Sequence, residues 1–210
     1  RPVTKSTLLA MAAAIHVPGK SWKGMQLDKS GDVLSAVASS TSPEPTLGIL
    51  GVEIYDRSRD MVNILAYRAY GQRHAYFPDS SATLFDKRNV RDGHYLPWSP
   101  TVWLTHVDAM GVPMDDNAAY LIALITDEQA SPQPDFEPLD SVISVGLVPQ
   151  CSMKVTRSEE GGDLSLYEAP EPCGCYYESK VASPGKECVA CDASQPCKSG
   201  TCRHGFCEAR

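Results

Sequence analysis

Apolar residues recur along the chain at two spacings. Residues 6–17, Ser-Thr-Leu-Leu-Ala-Met-Ala-Ala-Ala-Ile-His-Val, are rich in Ala and Leu and predict a helix capped by Thr4 to Ser6 and stopped by Pro18-Gly19. Val33, Leu34, Val37 and Ala38 share one helical face and predict a second helix over residues 31–40. Ser42-Pro-Glu-Pro45 breaks the chain, and Thr46 to Leu50 reads as a short buried strand. A short helix is expected over residues 56–63, followed by a strand through Ile64 to Tyr70. Turn residues dominate positions 71–100, after which Thr101 to Val107 reads as a strand. Asp115-Asp116-Asn117 places carboxylates at the positive end of a helix over residues 118–127. Leu139 to Val145 forms a last apolar segment, closed by Gly146-Leu-Val-Pro149. Helices alternating with short strands predict a layered α/β body.

From about Arg157 the composition shifts to Glu, Gly, Pro and Cys, which predicts a separate tail. None of the first 150 residues is Cys. Cys151 stands alone, and Cys173, Cys175, Cys188, Cys191, Cys197, Cys202 and Cys207 crowd the C-terminus. An even count in a Gly/Pro-rich tail predicts disulfides formed in an oxidising compartment. Cys188-Val-Ala-Cys191 has a zinc-ligand spacing, but no second pair matches it, because Cys197, Cys202 and Cys207 are five apart. Eight cysteines allow about 105 complete pairings, so the connectivity stays open.

The 210 residues hold 19 Lys and Arg against 26 Asp and Glu, a net charge of -7, which argues against nucleic acid as the main partner. No apolar run is long enough to span a bilayer. The chain starts at Arg1 without a signal peptide, from which processing or trimming is expected. Against this acidic background, residues 1–40 carry Arg1, Lys5, Lys20, Lys23 and Lys29 but only Asp28 and Asp32. Arg1, Thr4, Lys5, Ser6 and Thr7 thus bring two cations and three hydroxyls to the start of the first helix. The free amides and positive dipole of that turn favour an anion.

Five stretches, in order, resemble the C-terminal half of the phosphate-binding proteins of bacterial ABC uptake systems, a type II periplasmic solute-binding family. Arg1 to Thr7 and its Ala-rich helix resemble the family's Arg-x-x-x-Ser-Gly-Thr anion loop. Asp32 to Ser40 and Thr46-Leu-Gly-Ile-Leu50 resemble its helix leading into an Ile-Gly-Tyr-Val strand. The stretch from Asn89 to Trp103 is similar to its Gly-x-Tyr-Pro-Leu-x-Arg-Pro-Leu-Tyr segment. Ala118 to Thr126 resembles a late helix, and Gly146-Leu-Val-Pro149 the closing Gly-Phe-Val-Pro.

The resemblance implies an incomplete type II binding fold whose N-terminal part is absent. Residues 1–95 would be the second lobe, 96–156 a returning first-lobe segment exposed unless a partner covers it, and 157–210 the stapled tail. It further implies a small oxyanion ligand, most plausibly phosphate, held by Arg1 and Thr7. Lys5 stands where the family has Ser, and Ser6 where it has Gly. An ABC permease or a missing N-terminal segment would be the partner, in a periplasmic, envelope-anchored or secreted setting, with no cofactor and no catalysis. The alternative is a surface structural or adhesive protein, since the Cys202-Arg-His-Gly-Phe-Cys207 ending resembles disulfide-knotted surface modules.

Other constellations point less far. His74, His94 and His106 with Asp79, Asp92 and Asp108 are the material for an enzyme, and His106-Val-Asp108 would share one strand face. No HExxH, GxSxG or phosphate-loop motif accompanies them. Tyr67, Tyr95, Trp98 and Trp103 are candidates for an aromatic platform, with core packing the plainer expectation. Arg57, Arg59, Lys87, Arg88 and Arg91 interleave with Asp56, Asp60, Asp86 and Asp92 and read as an ion-paired, solvated face.

Overall fold

A computed structural model describes residues 5–128 and 130–208. The chain divides into two units, Arg1–Ser99 with Thr156–Ser165, and Pro100–Val155 with Leu166–Arg210.

In the first unit, α1 (Ser6–Ala14) buries Leu8 and Ala12, one turn apart on the same face. It ends before its predicted limit. His16 enters the left-handed region at φ 54°, and the Val17 amide donates back to the Ala12 carbonyl, so the chain leaves the helix ahead of Pro18. Gly161, at φ 73°, packs on this helix. A side chain there would sit 2.6 Å from the Ala13 Cβ, so both the conformation and the close approach require glycine. Helix α2 (Ser30–Ala38) buries Val33. Gly48 lies against its Val33 and Val37, so residues 46–50 pack on α2 in extended form without a β-ladder.

The helix expected over residues 56–63 lies earlier, as α3 (Val52–Asp56), and residues 57–61 form turns. The predicted strand through Ile64 to Tyr70 reduces to one antiparallel bridge, Tyr67 with Tyr76. Helix α4 (Arg88–Arg91) follows Lys87, whose backbone is left-handed at φ 44°.

Lys87 is one corner of a buried ionic cluster. Its Nζ lies 2.8 Å from Asp56 and 3.0 Å from Asp79, while the Arg59 guanidinium reaches Asp56 at 2.5 Å and Asp79 at 2.8 Å. Asp79 also accepts the Lys87 amide at 2.8 Å, and Arg59 stacks on Phe85 at 3.7 Å. The pairing expected of this stretch is present and Arg57, Asp60 and Arg88 are exposed, but Lys87 and Arg91 are buried, at 2% and 3% exposed, and Lys87 draws in Asp79, at 1%.

The second unit opens with an exposed stretch in which, among the described residues, only Val107 and Pro113 bridge, so the strand expected over residues 101–107 has no ladder there. Helix α5 (Asp116–Thr126) follows, its N-cap Asp115 accepting the Ala118 amide at 2.8 Å. The apolar segment at Leu139–Val145 is α6 (Pro138–Ser144), with Pro at the first turn and Glu137 as N-cap. Gly146, at φ 84°, turns the chain out of it. Strands β1 (Val155–Thr156) and β2 (Ser165–Leu166) pair where the chain passes between units. Helix α7 (Gly174–Val181) and the antiparallel hairpin of β3 (Thr201–Arg203) and β4 (Phe206–Glu208) complete the unit.

Four disulfides use all eight cysteines: Cys151–Cys173, Cys175–Cys188, Cys191–Cys202 and Cys197–Cys207. The CxxC pair, Cys188 and Cys191, is therefore split between two bridges. Cys151 and Cys173 join Leu139, Ile143, Ala169, Tyr176 and Tyr177 in one core, flanked by Phe206 of β4. The Cys-rich stretch thus shares a core with α6 in a single unit, in place of the separate tail expected from residue 157. The first division between the units falls between Ser99 and Pro100.

Candidate functional site

Two places carry functional chemistry, one in each unit. In the first unit, Lys5, Ser6 and Thr7 stand consecutively at the start of α1. Lys5 is the N-cap residue, extended at φ -82° and ψ 133°, and among the described residues no side chain caps the helix. The Leu8 and Leu9 amides both donate to the Lys5 carbonyl at 3.0 Å, so the Ser6 and Thr7 amides precede the first intrahelical donors. Lys5 and Ser6 are exposed and Thr7 is half-buried. The N-cap position, Lys5, falls within the Thr4 to Ser6 stretch expected to start the helix. Arg1 and Thr4 lie outside the described residues.

In the second unit, the two-residue turn His204-Gly205 joins β3 to β4. Both residues have positive φ, 46° and 83°, as a tight hairpin of the favoured twist requires. The turn carries the His204 ring into a gap between two helix ends. Nε2 lies 3.1 Å from Oδ2 of Asp127, the left-handed C-cap of α5, and Nδ1 lies 3.2 Å from Oε2 of Glu137, the N-cap of α6. The ring rests on Tyr176 of α7, with centroids 4.6 Å apart.

Arg203 donates to the same Asp127 oxygen at 2.6 Å, to Glu171 at 3.1 Å and to the Pro172 carbonyl at 3.0 Å. Tyr176 donates to Asp140 at 2.6 Å, and Lys180 meets the other Asp140 oxygen at 2.8 Å. From the far end of the hairpin, the buried Glu208 carboxylate accepts the Cys175 and Tyr176 amides at the positive end of α7.

The hydrogen bond to Asp127 raises the His204 pKa above its ordinary value, against the opposing effect of burial; the charges of Asp127 and Glu137 add to the rise. Burial and the bond to Asp140 push the Tyr176 phenol up. The bonds from Lys180 and Tyr176 hold Asp140 below the usual carboxylate range despite some burial. Asp127, Glu137, Arg203 and His204 line an open groove of about 1010 Å³ together with Leu124, Phe136 and Tyr167.

Asp127, Glu137 and His204 bring three ligand-type atoms within 4.8 Å of one another. Their arrangement is that of an ion pair. The carboxylates face opposite ring nitrogens, so no single position faces both along one imidazole lone pair, and Arg203 already binds the Asp127 oxygen.

Most of the other sequence candidates have structural partners, while His74 is exposed. Asp108 accepts the Met110 and Val112 amides at 2.8 and 2.9 Å and so shapes a turn, with His106 exposed beside it. His94 stacks on Tyr76 at 4.9 Å, and Asp79 belongs to the buried cluster. Tyr67 and Tyr95 meet edge to face at 6.3 Å, and Arg157 covers Trp98 at 4.3 Å. Trp103 belongs to the other unit and is half exposed.

Sequence reasoning passed over Asp127, Glu137 and His204, which come together from positions as far as 77 residues apart. The available signal was His-Gly between Cys202 and Cys207, a pair suited to a turn with two positive φ angles.

No family model, curated protein or solved structure matches the chain. The four disulfides mark an oxidising, extracellular-type environment. Among the described residues, no helix is long and apolar enough to cross a membrane.

Proposed function

We propose that this is an extracytoplasmic solute-binding protein of the type II class that holds a small oxyanion, phosphate first, without transforming it, for membrane uptake or surface reception. The observation that carries the reading is the start of α1. Lys5, Ser6 and Thr7 share one helix start, with no side-chain cap among the described residues, within a basic N-terminal stretch of an acidic protein. Uncapped amides, hydroxyl donors and a cation are what an oxyanion needs, and Arg1 would add a bidentate partner. The resemblance of residues 1–149 to phosphate-binding proteins supports the same ligand.

Calorimetric titration of the oxidised chain with phosphate, sulfate and arsenate tests the reading. Saturable heat with phosphate is expected, reduced at least tenfold in affinity by Arg1→Ala or by Lys5→Ala with Thr7→Val. Absence of binding by all three anions, or binding indifferent to these substitutions, overturns it.

A second reading, an assembly or adhesive protein, is favoured by one observation in the second unit. Val102, Leu104, Met110 and Met114 are 71%, 92%, 84% and 70% exposed within one short stretch. Apolar side chains grouped in this way mark surfaces that another chain covers. Concentration-dependent mass by sedimentation, abolished by Leu104→Asp, is its expected sign. A monomer at all concentrations with no surface partner removes it.

A further inference from the structure

We infer that the His204 turn is a pH-sensitive latch: in its doubly protonated form it ties the β3–β4 hairpin to the ends of α5 and α6, and it releases one of them when the ring loses a proton. Three observations in the second unit carry this independently of the oxyanion reading.

The first is stoichiometric. A neutral imidazole has one N–H, yet both His204 nitrogens lie within 3.2 Å of carboxylate oxygens. Carboxylates only accept, so both contacts are hydrogen bonds only when the ring is an imidazolium. Deprotonation leaves one nitrogen lone pair directed at a carboxylate, and that contact becomes repulsive.

The second is placement. The two carboxylates sit at helix ends rather than on free side chains. Asp127 ends α5 in a left-handed conformation, while the Glu137 side chain also accepts the Leu139 amide at 3.3 Å to start α6. Losing either bond therefore acts on how the hairpin is held against a helix. Asp127, Glu137 and His204 all line the groove, so its lining changes with these contacts.

The third is the surrounding charge. Around the ring are Asp127 from α5, Glu137 and Asp140 from α6, Tyr176 from α7 and Arg203 from β3, and one step further out Lys180 of α7 pairs with Asp140 and Glu171, from the segment before α7, with Arg203. Four carboxylates meet two permanent cations, so the imidazolium offsets an excess of negative charge. Its release leaves the set at about minus two. Arg203 stays bound to Asp127 and Glu171 throughout and keeps the hairpin attached, which makes the change a loosening rather than an unfolding.

The direction follows from the raised His204 pKa. The latch is complete below the ordinary histidine range and is lost as pH rises through the folded-state value. The disulfides Cys191–Cys202 and Cys197–Cys207 hold the hairpin's own structure on both sides of that transition.

The test uses the oxidised full chain, with amide hydrogen-exchange protection factors measured from pH 5.5 to 9 and the His204 ring titrated by NMR. Protection at Arg203 to Phe206 is expected to fall roughly tenfold across the His204 titration, as loss of a bond to a charged group implies. Protection in the α7 core should stay constant. His204→Asn, which retains a residue suited to the left-handed turn position, should abolish the pH dependence while the hairpin remains folded. Glu137→Gln keeps the cap acceptor and should bring the measured His204 pKa back toward its ordinary value. Protection independent of pH in the wild type, an unchanged pH dependence in His204→Asn, or an unmoved His204 pKa in Glu137→Gln would each overturn the latch.

Discussion

Replacing Asp79 with Asn removes one charge from the most deeply buried ionic cluster while changing the side-chain volume little. In the native protein the Asp79 carboxylate accepts from Arg59, from Lys87 Nζ and from the Lys87 amide, at 2.8, 3.0 and 2.8 Å. It is 1% exposed, and Lys87 is 2% exposed. Breaking a buried pair by removing one partner costs about 3–5 kcal/mol, chiefly because the other charge remains desolvated. Lys87 and Arg59 each keep Asp56, so the lower end, about 3 kcal/mol, is expected for Asp79→Asn.

In a Trp103→Phe background the remaining tryptophans, Trp22 and Trp98, both report on the first unit. With a urea slope of about 1–3 kcal/mol per molar, the fluorescence midpoint should fall by about 1–3 M. Adding Lys87→Met should restore part of the loss, since the buried ammonium, left with Asp56 alone, is then gone. The double-mutant cycle should return a coupling of about 2 kcal/mol. A single-mutant loss below about 1 kcal/mol, or a double mutant as unstable as the summed singles, refutes the view that the cluster's members depend on one another.

Three further outcomes follow from the same structure. Replacing Cys151 and Cys173 by Ser opens a loop of 22 residues and should cost the second unit about 3 kcal/mol, read as a lower unfolding midpoint by circular dichroism. Asp115→Ala removes the N-cap of α5 and should cost about 1 kcal/mol in the same assay, with Asp115→Asn close to wild type. Burial pushes the Tyr95 phenol up to about 12, so its ultraviolet ionisation should lag behind the exposed tyrosines. Because that pKa is raised on folding, its stabilisation is full below pH 10 and lost between pH 10 and about 12. Tyr95→Phe should remove that part of the alkaline loss.

Helices α1, α2 and α5 were the legible part of the sequence, because a helix satisfies its own backbone and announces itself locally. The Ala and Leu of residues 6–14 and the Asp115 cap place α1 and α5 within a few residues of where they stand. The strands were not legible, and the reason is physical. Residues 46–50, 64–70 and 101–107 have β-type composition, but a strand exists only when a distant segment pairs with it, and among the described residues these find a helix face or a single bridge. Leu139 to Val145 was readable as apolar but not as helical, although Glu137-Pro138 is a helix-start signal.

The same asymmetry holds for the sites. Lys5, Ser6 and Thr7 are adjacent in sequence and so visible at once, whereas His204, Asp127 and Glu137 depend on the fold to meet. Disulfide formation was readable from the number and crowding of the cysteines. The pairing was not, because Cys188 and Cys191 are near neighbours that bond in opposite directions along the chain.

The division of the chain into interleaved pieces has a consequence for biosynthesis. The first unit takes residues 156–165 from beyond the start of the second, and the second resumes at Leu166. A nascent chain that has reached residue 155 therefore holds neither unit complete, and Gly161 has yet to arrive against α1. A frameshift or premature stop before that point would leave two unfinished pieces rather than one good one. A single proteolytic nick between residues 100 and 155 would likewise fail to release either unit as an independent product. For this chain, gene fusions and truncations at the apparent boundary after Ser99 would cut through a unit rather than between units.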